Sequence, residues 1–150
     1  MADIGKLIAH PLRDGERDAL KAALTKANLP TEDVEAPGRL FWRFETTEEV
    51  PVGFGGLEIL GEDALLRSLV TLPPVRGRGI GTAIVVALEF EARLHGCRSL
   101  WLLTTIAADF FQRLGYARCA RNVVPPAIRE TTEFSTLCPA SADVLMKRVE

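Results

Sequence analysis

The stretch that decides the fold is Arg76-Gly77-Arg78-Gly79-Ile80-Gly81. It follows an apolar run from Leu65 to Leu72 and opens a helix-like segment from Thr82 to Leu94. A glycine-rich turn between a strand and a helix start is an anion site. The unpaired N–H groups of the first helical turn point outward, and the helix dipole adds partial positive charge. Glycines let the backbone approach a phosphate closely, and two arginines add charge and forked donors. The turn is therefore expected to hold a phosphate-bearing ligand.

Outward from this turn, the chain reads as alternating strands and helices. Ile4 to Leu12 suits a first strand, and Arg17 to Asn28 a helix with Leu20, Ala23, Leu24 and Ala27 on one face. Thr31 gives an N-cap signal for a short second helix, and Pro37-Gly38 breaks the chain. Leu40 to Thr46, Val52 to Leu60 and Ala64 to Leu72 form a predicted antiparallel meander. After the turn, Ile80, Ile84, Ala87, Leu88, Glu91 and Leu94 recur at helical spacing, and Gly96 stands where a glycine ends a helix. Leu100 to Leu103 is apolar throughout, as in a strand buried on both faces. Ala107 to Leu114 reads as a short helix, Tyr116 to Val124 as a strand and Ser141 to Val149 as the last strand. The long connection Pro125 to Ala140 has the length of a lid or binding loop. The expected order is β-α-α-β-β-β-α-β-α-β-β, a mixed α/β sheet in a single domain over residues 1–150.

The 150 residues allow one sizeable core. With 47% hydrophobic and 25% charged residues, the composition is that of a globular chain. The net charge of −2 gives no footprint for nucleic acid. No apolar run is long enough to cross a bilayer, and the N-terminus has no signal-peptide core, so a cytoplasmic protein is expected. Cys97, Cys119 and Cys138 form neither a disulfide framework nor a metal motif.

Two phosphate-binding motifs fail on spacing. A dinucleotide fingerprint needs a third glycine and an early strand, and a P-loop needs a lysine after its last glycine. The pattern that fits is Arg-x-x-Gly-x-Gly on Arg76, Gly79 and Gly81. With Ala107-x-x-x-Phe111-x-x-x-Gly115-Tyr116 following, it resembles the GNAT N-acetyltransferases, which hold acetyl-coenzyme A. Leu29-Pro30-Thr31, Gly56-Leu57-Glu58, Leu65-Leu66-Arg67-Ser68, Leu102-Leu103-Thr104-Thr105, Phe110-Phe111 and Leu137-Cys138-Pro139 together look like the second branch of the arsenic-resistance N-acetyltransferases.

That resemblance implies a GNAT acyl-CoA N-acyltransferase fold, with the fourth and fifth strands splayed around the pantetheine arm. The arm would pair with the backbone of Leu69, Val70 and Thr71. The pyrophosphate would rest on Arg76, Gly77, Arg78, Gly79, Ile80, Gly81 and Thr82. The N–H of Val70 is a candidate oxyanion donor. Acetyl-CoA is the expected acetyl donor, a small-molecule amine the acceptor, and direct attack the mechanism; no metal is implied. The chain departs from the family in two places: Phe111 stands where a tyrosine acid is common, and Thr104 where an asparagine is common. Thiolate departure would then rely on water, Ser68 or Cys138.

Glu58, a carboxylate in an apolar strand, is the favoured general base, because burial favours proton uptake by a carboxyl group. An ion pair with Arg67 on the neighbouring strand is an equal alternative. Tyr116, Phe41, Trp42, Phe44 and Trp101 read as core, as do Cys97 and Cys119. Arg121 and Arg129 read as solvated charges. A trivalent-arsenic site on converging thiolates, and a coenzyme-binding protein without turnover, are the competing expectations. A homodimer is a further one.

Overall fold

In the computed structural model, residues 7–72, 79–137 and 140–150 are described. The described residues form seven strands and four α-helices: β1 (Ile8–Pro11), α1 (Asp18–Lys26), β2 (Arg39–Glu45), β3 (Pro51–Leu60), β4 (Asp63–Thr71), α2 (Ile80–Leu94), β5 (Ser99–Thr104), α3 (Ala108–Arg113), β6 (Ala117–Cys119), α4 (Pro126–Arg129) and β7 (Asp143–Arg148). They build one sheet in the order β1-β2-β3-β4-β5-β7-β6. Every pairing is antiparallel except β4 with β5. A parallel pair needs a long crossover, and α2 supplies it.

The helices cover both faces. On one, Ile84, Val85 and Leu88 of α2 and Phe111 of α3 pack with Phe44, Leu57, Leu66, Leu100 and Leu145 of the sheet. The fit of α2 rests on small residues in β3. A Cβ at Gly53 would stand 2.4 Å from the Val70 carbonyl oxygen and 2.6 Å from Ile84. On the opposite face, Leu20 and Leu24 of α1 pack with Phe41, Phe54 and Val70 at one end. Ile128 of α4 packs with Leu65, Trp101 and Val144 at the other. Between these two clusters lies the side chain of Arg67.

Two expectations need correction, and a third gains detail. The segment after Thr31 is a run of turns, not a helix. Its side chains and carbonyls are held from outside: Arg67 and Arg39 take the Asp33 carboxylate, and Arg17 donates to the Val34 carbonyl at 2.6 Å. The strand expected to reach Val124 stops at Cys119, where its pairing with β7 ends. A 3₁₀ turn, Arg121–Val123, then carries Val124 into the core ahead of Pro125 and Pro126, which have no N–H for a ladder. The long connection is not a bare loop. It contains α4, whose Ile128 is fully buried, and a π-type turn over Glu133–Leu137.

Candidate active site

β4 and β5 pair only at their first residues, Asp63–Ser99, Ala64–Leu100 and Leu65–Trp101. Beyond Leu65 the strands have no register partners in each other, and β5 continues on β7 alone. The cause on the β4 side is a bulge: Phe54 pairs with Val70 and Gly56 with Arg67, so Ser68 and Leu69 together oppose Gly55. Ser68 has φ 57°, a left-handed conformation uncommon for serine in a strand. Bulges re-aim a strand and collect beside active sites.

The backbone that faces the gap follows from alternation. Leu72 N–H donates to Val52 across the β3 side. Two residues back, the N–H of Val70 turns the same way, toward Phe54. The carbonyl of Leu69 and the N–H of Thr71 then face the β5 side. The oxyanion donor expected at Val70 is thus turned away from the gap.

Two adjoining cavities fill the gap and share Leu69, Thr71 and Phe110. The outer one, about 360 Å³, is walled by Gly79, Ile80, Gly81 and Thr82 at the start of α2. Gly79 has φ 75°, and its carbonyl accepts the first helical bond, from Ala83. Gly81 keeps this entry open, since a Cβ there would lie 3.3 Å from the Phe110 ring. The inner cavity, about 310 Å³, runs between Leu66 to Val70 of β4 and Leu102 to Thr104 of β5, with Leu29 and Pro30 at one side. Thr104 lines it, and its hydroxyl accepts the Ala107 N–H at 2.9 Å, turning the chain into α3. Phe111 also reaches the wall but is mostly core, edge-on to Phe110 and Tyr116. The Tyr116 hydroxyl is buried and donates to Glu89 at 2.9 Å. Burial and the Glu89 carboxylate push it far above the ordinary phenol range, so it is no substitute acid.

A charged cluster closes the inner end. Arg67, whose side chain is fully buried, grips both oxygens of Asp33 at 2.5 Å and reaches Glu58 at 2.9 Å. Arg39 adds contacts to Asp33 at 3.2 Å and to Glu58 at 3.4 Å. Arg67 also donates to the Ser68 hydroxyl at 3.3 Å. Burial opposes ionisation of Asp33, but the hydrogen bonds and charges of Arg67 and Arg39 outweigh it and hold the carboxyl below its ordinary value. Glu133 completes the cluster. Its carboxylate lies 3.8 Å from Arg67 Nε, beyond hydrogen-bond range. Burial pushes it up to about 7, against the pull of Arg67 and with the added push of Asp33 and Glu58.

The sequence-derived site is therefore partly assembled. Leu69, Val70, Thr71, Gly79, Ile80, Gly81, Thr82, Thr104, Phe111 and Ser68 border the two cavities. Glu58 does not. It occupies the ion pair with Arg67 and is absent from the cavity wall, so the base expected there is not where an acceptor would stand. Arg76, Gly77, Arg78 and Cys138 lie outside the described residues. Cys97 is core, Cys119 packs in a different cluster, and burial raises both thiols. Asp33 and Glu133 were not singled out by sequence. Asp33 reads as part of a helix-start signal, and Glu133 as one polar residue in a connection.

A mixed seven-stranded sheet with a bulged β4 splayed from β5 over the N-terminus of a crossover helix defines the acyltransferase type of fold. The family model for the acetyltransferase (GNAT) family matches residues 7–116, and the chain belongs to that family. Solved structures agree on the fold. N-acetylglutamate synthase from Neisseria gonorrhoeae, complexed with coenzyme A and N-acetyl-glutamate, superposes with TM-score 0.77 at 15% identity, covering 97% of this chain and 35% of that one. The Mycobacterium tuberculosis protein Rv2747, in complex with CoA and NLQ, superposes with TM-score 0.74 at 21% identity, over 94% and 98%. By sequence, the uncharacterised protein YyaT of Bacillus subtilis (strain 168) is 41% identical over 92 residues, 59% of this chain and 62% of that one. The chain thus spans less than two thirds of that relative. No helix among the described residues is long and apolar enough to cross a membrane.

Proposed function

We propose that the protein transfers acetyl from acetyl-CoA to the amine of a small molecule by direct attack. The observation that carries this reading is the continuous cleft from the start of α2, through the β4–β5 gap, to the charged cluster at Arg67. The coenzyme pyrophosphate sits on the N–H groups at Gly79 to Thr82, and Arg76, Gly77 and Arg78 belong to the same site by sequence. The pantetheine arm adds to the open side of β4 along Leu69 and Thr71, as a strand would. Phe110 and Phe111 enclose the thiol end, and the acceptor enters beside Ser68. Holding the two substrates together supplies most of the rate. Phe111 gives no proton, and the thiolate, with a pKa near 8.5, leaves with help from water or Ser68.

Solved structures of the same fold carry coenzyme A, which supports the donor. Amino-acid-like amines, organoarsenical ones included, are the acceptor class that the arsenic-resistance resemblance adds. Thiol release from acetyl-CoA, measured with a panel of amines, is the direct test. Release that tracks added amine is expected. Coenzyme A that gives no thermal stabilisation, together with no amine-dependent release, removes the reading.

A further inference from the structure

We propose that Glu133 is the group that receives the acceptor's proton, and that the site accordingly takes an ammonium cation. This rests on the acetyl-transfer reading and names the acceptor end of the same cleft.

The argument begins with charge. Three carboxylates, Asp33, Glu58 and Glu133, meet two guanidinium groups, Arg67 and Arg39. Asp33 accepts hydrogen bonds from both cations, and Glu58 accepts one from Arg67 and pairs with Arg39. Glu133 makes the long contact to Arg67 and no other ion pair among the described residues. It is also the carboxylate on the wall of the inner cavity, where the other two are absent. With Glu133 ionised the cluster is one cation short, and of its three carboxylates Glu133 is the one that shares the cavity wall with Arg67.

Position follows from the backbone. The π-type turn that starts at Glu133 is anchored by Thr131, whose hydroxyl donates to the Ile128 carbonyl at 2.7 Å and accepts the Phe134 N–H at 3.2 Å. Thr132 is held by Arg39 at 3.2 Å. Glu133 therefore comes from a fixed turn, not from a long free loop. The charged groups that face it are Arg67 from β4, Asp33 from the turn after α1, Glu58 from β3 and, through Thr132, Arg39 from β2. Arg121 lies over the ring of the neighbouring Phe134. A carboxyl that burial brings to the neutral range accepts a proton from an ammonium and releases it again at ordinary pH.

The step balances as follows. An ammonium N–H proton moves to a Glu133 carboxylate oxygen. The freed nitrogen lone pair attacks the thioester carbonyl carbon and forms the C–N bond. The C–S bond then breaks, and its electron pair leaves on sulfur. The remaining ammonium proton of the adduct goes to that thiolate, and Glu133 returns its proton to solvent. The products are the amide, the free thiol and one proton.

The test uses the full chain with saturating coenzyme A or acetyl-CoA. Ethanolamine and 2-phenylethylamine are the probes, with their N-acetyl amides as uncharged controls. Calorimetry at pH 8 should show the amines binding and the amides not, with the Glu133→Gln variant losing amine binding while keeping the thermal shift given by coenzyme A. In turnover, kcat/KM of the native protein should rise through a limb near neutral pH. Glu133→Gln should lose that limb and fall about 100-fold or more, while Glu133→Asp keeps the limb at a lower rate. Equal binding of amine and amide, no binding of either amine to a protein that coenzyme A stabilises, or an unchanged limb in Glu133→Gln each overturns the proposal. Failure of coenzyme A to stabilise the native protein strikes instead at the acetyl-transfer reading.

Discussion

Arg67 gathers three carboxylates and a hydroxyl around one buried guanidinium. Removing a guanidinium from water is expensive unless its donors are matched, and Asp33, Glu58 and Ser68 match them. Breaking that match strands a buried charge. Asp33→Asn is expected to destabilise the fold by about 3–5 kcal/mol, read from the urea midpoint at constant slope. The cluster also predicts two opposed pH dependences. Asp33 has a lowered folded pKa, so its contribution is present above the ordinary carboxylate range and is lost as the pH falls through the folded value. Glu133 has a raised one, so its contribution is fully present below the ordinary value of 4.5 and is lost as the pH climbs toward about 7. That loss is on the order of 3 kcal/mol. Urea titrations across this window should show the native protein weakening and Glu133→Gln staying level. Parallel curves would remove the assignment of this titration to Glu133.

At the level of the elements, the cleft exists because β4 cannot stay paired on both sides. Its bulge at Ser68 and Leu69 bends the strand after Leu65, and β5 follows β7 instead. The close seating of α2 on Gly53 then sets the start of that helix beside the gap. Gly53→Ala places a methyl against the Val70 carbonyl oxygen and is expected to cost about 1–3 kcal/mol, with β4 displaced and coenzyme A affinity reduced. Chemical denaturation and calorimetry read the two effects separately. The short helix expected after Thr31 fails for a related reason. Its cap signal is local, but the charges of Arg67 and Arg39 recruit Asp33 from across the sheet.

For the whole molecule, the acetyl-transfer reading links donor binding to folding. A ligand that binds only the folded chain stabilises it by about 2.7 kcal/mol at a hundred times its dissociation constant. Coenzyme A should therefore raise the thermal midpoint of the native protein. A double Arg76→Ala, Arg78→Ala variant should fold normally, with its ligand-free midpoint unchanged, yet gain much less from the same coenzyme concentration. An equal gain would mean that the helix start alone carries the pyrophosphate.

The strands, the crossover helix α2 and the family were legible in the sequence because each rests on neighbours, whereas the run of turns after Thr31 and the α4 turn at Pro126–Arg129 were not. A strand feeding glycines into a helix start leaves N–H groups free for an anion, and Gly79, Gly81 and Thr82 border the outer cavity. The same local logic placed Tyr116 in the core. What the tertiary structure decided is which carboxylate is paired and which borders the cavity. Glu58, Asp33 and Glu133 carry the same kind of acid on unrelated stretches of chain, and nothing in their spacing ranks them. Folding brings Asp33 to Arg67 across 34 positions, engages Glu58 on the same guanidinium, and leaves Glu133 on the cavity wall with the weakest hold. Ionisation inside a protein depends on burial and on the charges nearby, and both are properties of the packed molecule.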